Sequence, residues 1–306
     1  MKRTAPLLLL ALALSPAATP QQADLRFRQA GEEFDFDTGW LRGKLRAGGR
    51  SLGLTGVVHV PTGRILSRSL GLFSHYRVFT ANRRYGDAAW SWPSHARLRD
   101  DGAVEVHWPA ATDRPFELRA LYRWSAPDAL DVETRVLAHS DLPAFESFLA
   151  SYFAESFTIS RVYAHGIPNA REPVWVNAEL SDGIWQMFPR DPEAIQLIRD
   201  GRWRYPPSPV EWALRPMLAE PLGLRRAESW DLTAVVMAPR QDCFAVATPH
   251  STEPHYSMYL SLFGRSIAAG GTARACARLL IRASLRDAEV PDLYRAYLLG
   301  LPRDGR

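Results

Sequence analysis

The chain has 306 residues, 46% of them hydrophobic, 11% aromatic and 23% charged, with only two cysteines. This is the composition of a packed globular protein, and it excludes a disordered chain or a disulfide-stapled miniprotein. Lys and Arg total 37 against 33 Asp and Glu. Without Lys2 and Arg3 the surplus falls to +2, with no run of five like charges. That excludes a basic stripe for nucleic acid.

Residues 1–22 read as a signal peptide. Lys2 and Arg3 form a short positive start, Leu7 to Leu14 an apolar run, and Ser15-Pro16-Ala17-Ala18 a small, cleavable stretch. The run is shorter than the roughly 20 residues a membrane span requires. The expectation is an exported chain, cleaved between about Ala17 and Asp24, with no stable membrane insertion afterwards. Residues 23–306 then form a single domain. In an oxidising compartment Cys243 and Cys276 either pair or remain buried free thiols.

The first suggestive segment is Phe73 to Phe79, leading into Thr80-Ala-Asn-Arg-Arg-Tyr85. At a period of two, His75, Arg77 and Phe79 share one face, and Ser74, Tyr76 and Val78 the other. Asn82, Arg83 and Arg84 occupy a turn, and guanidinium forks suit carboxylates and vicinal hydroxyls. Trp90 and Trp92 flank Ser91 and fall on one face at strand spacing. They serve either as stacking platforms for a pyranose ring or as core.

Val104 to Trp108 is a strand after the turn Asp100-Asp101-Gly102. Phe116, Leu118, Ala120, Tyr122 and Trp124 alternate with Glu117, Arg119 and Arg123. Leu130, Val132, Thr134 and Val136 repeat the pattern. With Ser125-Ala-Pro-Asp128 between them, the two form a hairpin. Segments 144–153, 230–238, 242–248, 255–263 and 273–283 are further strands. Asp191-Pro192-Glu193 starts a short helix, and Pro291 to Leu299 forms a terminal one.

Two strands carry polar groups on one face. On 144–153, Glu146, Phe148, Ala150 and Tyr152 align. On 255–263, His255, Ser257, Tyr259 and Ser261 face one way and Tyr256, Met258, Leu260 and Leu262 the other. His250 and His255, with Glu253 between them, suggest a metal only weakly, because no third imidazole accompanies them. No metal or cofactor is expected.

Three segments together resemble the galactose-mutarotase (aldose 1-epimerase) superfamily. The first is Ala120 to Phe153, matching at Leu130, Val132, Ala138, Asp141, Pro143 and Ser151-Tyr152-Phe153. The second is the turn Ala81-Asn82-Arg83. The third is Phe244-Ala-Val-Ala-Thr-Pro-His250, followed by Ala268-Ala-Gly270-Gly-Thr272. Their order holds over about residues 70–283. The resemblance implies an all-β fold with few short helices. It would be a large antiparallel β-supersandwich whose concave face binds sugar. It also implies that the superfamily's catalytic histidine falls on Ala150 and its catalytic glutamate on Ala247. Alanine transfers no proton, so aldose epimerisation is not expected.

The sequence therefore predicts an exported, carbohydrate-recognising protein of unassigned chemistry. Its candidate catalytic residues are His255, Glu146, Tyr152 and His75. Its candidate sugar-binding residues are Arg83, Arg84, Asn82, Tyr76, Trp90, Trp92, His250 and Tyr259. The partner expected is a mono-, oligo- or polysaccharide. Two alternatives remain open: a polysaccharide lyase or other glycoside-processing enzyme, and a non-catalytic glycan-binding accessory protein.

Overall fold

A computed structural model describes residues 24–47, 52–81, 83–166 and 172–302. The proposed signal peptide and Asn82 lie outside them. The alternating segments fold as their period demands. Phe116–Ala126 and Ala129–Ala138 form an antiparallel hairpin, with Phe116 opposite Ala138 and Trp124 opposite Leu130. Their apolar residues are buried and their charged ones look outward.

The described strands form an all-β sandwich of three sheets. A nine-stranded sheet is built around this hairpin and Thr272–Ala283. A seven-stranded sheet runs, in spatial order, Ala213–Leu214, Trp185–Pro189, Cys243–Pro249, Ser257–Ile267, Leu142–Tyr152, Ser74–Thr80 and Arg83–Arg84. Its pairs are antiparallel except Trp185–Pro189 with Ala213–Leu214. Five short strands between Arg28 and Ile65 make the third sheet, which the sequence patterning does not announce. It is joined to the body by a bridge between Leu54 and Leu72. Gly53 sits there with φ +64°, and a Cβ on it would lie 2.3 Å from the Leu72 carbonyl oxygen. Only glycine fits so close a backbone crossing.

The main core lies between the two large sheets and includes Trp108, Tyr122, Leu149, Leu260 and Leu279. A second apolar cluster, with Phe148, Tyr152, Trp203 and Tyr259, covers the other face of the seven-stranded sheet. A third lies under the helix Val290–Gly300. The helix Pro192–Arg199 starts as its sequence implies, with Asp191 accepting a hydrogen bond from the Ala194 amide at 2.8 Å. Cys243 and Cys276 are buried free thiols on different sheets.

Candidate functional site

On its outer face the seven-stranded sheet presents a floor of rings. Ala150 of Leu142–Tyr152 and Ala247 of Cys243–Pro249 both stand opposite Tyr259 of the strand between them. Phe148 stacks on Tyr259 with ring centroids 4.6 Å apart, and Tyr152 meets Tyr259 edge-on at 5.9 Å. Above this floor residues 202–214 supply a cover. Trp203 and Trp212 cross at 84° with centroids 5.1 Å apart. Between floor and cover lies a pocket of about 270 Å³, also walled by Tyr76, Arg77, Trp185 and His255.

A bulge sets one wall. Along Ser74–Thr80, His75 pairs with Leu149 and Val78 with Ser147, so Tyr76 and Arg77 together oppose Phe148 alone. Two residues against one is a β-bulge, which leaves consecutive side chains on one side. Tyr76 and Arg77 both reach the pocket, while His75 turns into the core. This corrects the period-two reading that put His75 and Arg77 on one face. Trp90 and Trp92 likewise part company, because Ala89–Ser91 is a 3-10 turn rather than a strand. Trp90 stacks on Tyr76 at 4.3 Å, behind the pocket wall. Trp92 packs in the main core beside Phe116, with Arg114 over its ring at 4.4 Å.

The polar groups at the pocket are few and mostly donors. Glu253 accepts from His255 Nδ1 at 2.7 Å and from the His255 amide at 2.9 Å. This fixes the ring's tautomer and orientation. Ser257 Oγ donates to Tyr259 Oη at 2.7 Å, so the Tyr259 hydroxyl proton is free to point elsewhere. Burial pushes the Tyr259 phenol up to about 12 and the Tyr152 phenol well above its usual value. Both are donors at neutral pH. The Arg77 guanidinium lies between the rings of Tyr76 and Trp203, at 4.9 and 5.4 Å.

Other sequence candidates lie elsewhere. Glu146 is fully buried and does not line the pocket. Its Oε2 accepts from Arg202 Nη1 at 3.0 Å, and Arg202 also donates to Asp200 at 2.7 Å and to the Ala144 carbonyl at 3.0 Å. Burial raises the Glu146 carboxyl above the usual range, against the opposing pull of Arg202. Arg84 donates to the carbonyls of Tyr205 (3.2 Å) and Pro207, and so fastens the cover. Arg83 is exposed, 5.1 Å over the Tyr85 ring. His250 lies in the turn after Cys243–Pro249, its amide bonded to the Ile184 carbonyl. Neither Arg83 nor His250 lines the pocket.

Four sequence candidates therefore converge: Tyr76, Tyr152, His255 and Tyr259. Sequence reasoning passes over Arg77, Trp185, Trp203 and Trp212 as site residues. Only the tryptophans in the proline-rich stretch 203–212 leave a local signal, as large aromatics in a turn-forming segment.

No known protein-family profile and no curated protein matches the chain. Similar solved structures include a TPR-domain containing protein from Parabacteroides distasonis, at 8% identity and TM-score 0.50, covering 90% of this chain and 50% of that one. A galactose mutarotase-like protein from Lactobacillus casei is 9% identical at TM-score 0.48, covering 82% and 100%. A heparan sulfate lyase mutant from Pedobacter heparinus is 7% identical at TM-score 0.48, covering 86% and 37%. At 8% identity the likeness to the first of these is one of fold alone.

Proposed function

We propose that this protein recognises carbohydrate in the pocket between Tyr259 and Trp212. The observation that carries the reading is the pocket's mixture of ring faces and hydroxyls at one depth. Sugar rings have apolar C–H faces that pack on aromatic faces, and equatorial hydroxyls that need in-plane partners. The half-buried rings of Trp185 and Trp212 offer the first, and Tyr152, Tyr259 and His255 offer the second. The volume, near the lower end for small-molecule sites, suits one sugar unit or one end of a chain. The ordered resemblance over residues 70–283 supports the same ligand class. Residues 1–22 extend the proposal to an exported protein.

Epimerisation is not part of the proposal. Ala150 and Ala247, where the resemblance calls for the proton-transfer groups, flank Tyr259 and are fully buried. The His255–Glu253 pair favours a second reading, in which the pocket transfers a proton. A glycan array, with turnover followed on every bound sugar, tests both readings. Binding with turnover supports an enzyme of the glycoside-processing or lyase type. Binding without turnover supports an accessory glycan-binding role. No bound glycan at all would overturn the proposal.

A further inference from the structure

Not every buried donor at the pocket has an acceptor among the described residues. Arg77 is only 4% exposed, yet it lines the pocket. A guanidinium has five N–H donors. Nη2 uses its pair on the Ser208 carbonyl at 2.8 Å and the Tyr76 hydroxyl at 3.2 Å. Nε and Nη1 are buried and meet no acceptor among the described residues. No carboxylate lies within salt-bridge distance of Arg77 among them. Glu253 is bonded to His255 and Asp200 to Arg202, while Glu146 gives Oε2 to Arg202 and leaves Oε1 without a partner among the described residues; none of the three lines the pocket. The indole Nε1 atoms of Trp203 and Trp212, whose rings line the pocket, are buried without an acceptor as well.

A buried cation without a counter-charge is destabilising, and a buried donor without an acceptor costs about 1–3 kcal/mol. The aromatic faces of Tyr76 and Trp203 offset part of the charge but accept no hydrogen bond at the guanidinium edge. Such orphaned donors, gathered on one pocket that has no acidic wall, describe a site completed by an anion.

We propose that the ligand is a sugar bearing one negative charge, its anionic group paired with Arg77. The inference rests on the carbohydrate reading above and adds a charge requirement to it. Among the described residues, Arg77 is the one cation in the pocket's lining and matches one charge. A doubly charged phosphate monoester would leave an excess anion among rings. The shared chemistry is that of a uronate or of a sugar sulfate ester, and the sugar face packs on the half-buried rings of Trp185 and Trp212. Arg77 itself is invisible to a period-two reading, because the bulge turns it onto this face.

The test is calorimetric titration of the full mature chain with D-glucuronate, D-galacturonate, their methyl esters, glucose 6-sulfate, glucose 6-phosphate and glucose. A charged hydrogen-bonding pair corresponds to roughly 10- to 100-fold in affinity. A uronate or the sulfate ester should bind tighter than its neutral counterpart by that factor. Preference for the carboxylate or for the sulfate identifies which anion is recognised. Arg77→Met should erase the preference while weak binding of the neutral sugar persists. Arg77→Lys should restore part of it. The comparison of acid with methyl ester on the unaltered protein stands even if Arg77→Met does not fold. Equal affinity for acid and ester, or tightest binding of the phosphate, would overturn the charge requirement and leave the carbohydrate reading intact. Binding of none of these sugars, nor of any glycan on the array, would remove both.

Discussion

His75 sits between the two large sheets, with Nδ1 2.9 Å from Ser147 Oγ and Nε2 3.3 Å from Thr134 Oγ1. Its ring meets Trp108 edge-on at 5.4 Å. A neutral imidazole satisfies both hydroxyls, since each can donate or accept. Protonation would place an unpaired charge in the core, so burial holds its pKa down to about 3 from 6.5. The sign of the consequence follows from linkage. Below about pH 6.5 the unfolded chain takes up a proton that the folded chain refuses, so stability falls with acidification. The loss amounts to on the order of 1.4 kcal/mol per pH unit until the folded value near 3 is reached. Urea unfolding at about pH 7 and about pH 5 should show this slope. His75→Gln, which keeps a donor and an acceptor, should flatten it. An unchanged slope would mean that other groups carry the acid sensitivity.

At the scale of elements, the cover over the pocket hangs on a small number of side-chain bonds, buried at Arg202 and exposed at Arg84. Arg202 joins the 202–214 segment to Glu146 of the sheet, and Arg84 ties the same segment from its other side. Removing one member of a buried ion pair strands the other. Arg202→Met should therefore destabilise the fold by about 3–5 kcal/mol, measured by urea unfolding. Adding Glu146→Gln should recover part of that loss, because the stranded charge is gone. If the double variant is no more stable than the single one, Arg202 works mainly through Asp200 and the Ala144 carbonyl instead.

Strands with one buried face are legible because alternation reports the face directly, as in Phe116–Ala126 and Ala129–Ala138. The bulge at Tyr76-Arg77 is not, because pairing with Phe148 creates it and its own residues do not. Leu218–Ala227 escapes for a different reason. It is buried on both sides over much of its length and contains Pro221, so no period of two marks it. Its Arg225 is fully buried and donates to the carbonyls of Ser251 and Ser257, fastening the loop that carries Glu253 and His255 from behind.

At the scale of the whole molecule, the two thiols test whether the sandwich is held by covalent or apolar means. Cys243 and Cys276 lie on different sheets, and burial pushes each thiol up to about 12. A thiol reagent should find almost no reactive sulfur in the native protein and two after denaturation. Reductant should leave the melting temperature unchanged. Fast native labelling, or a melting temperature lowered by reductant, would contradict this packing. The five short strands from Arg28 to Ile65 are the least legible part of the architecture. Their buried residues Phe34, Phe36, Leu45 and Leu54 become a pattern only against the central core.

If, as the resemblance implies, Ala150 and Ala247 stand where an epimerase carries its acid and base, the consequence in solution is direct. Polarimetry on freshly dissolved α-glucose and α-galactose should show mutarotation no faster with the protein than without it. Positioned acid and base groups typically contribute about 10²–10⁴-fold each. Acceleration on that scale would mean that His255 and Glu253 perform the proton transfers instead.

Sugar is proposed to bind between the aromatic floor and its cover. A crystal structure of the protein soaked with the tightest-binding glycan measures this most directly. The expected result is a pyranose ring in contact with Tyr259 and Trp212, with a polar group directed at Arg77. A sugar bound instead on the outer face of the nine-stranded sheet, with this pocket unchanged, would contradict it.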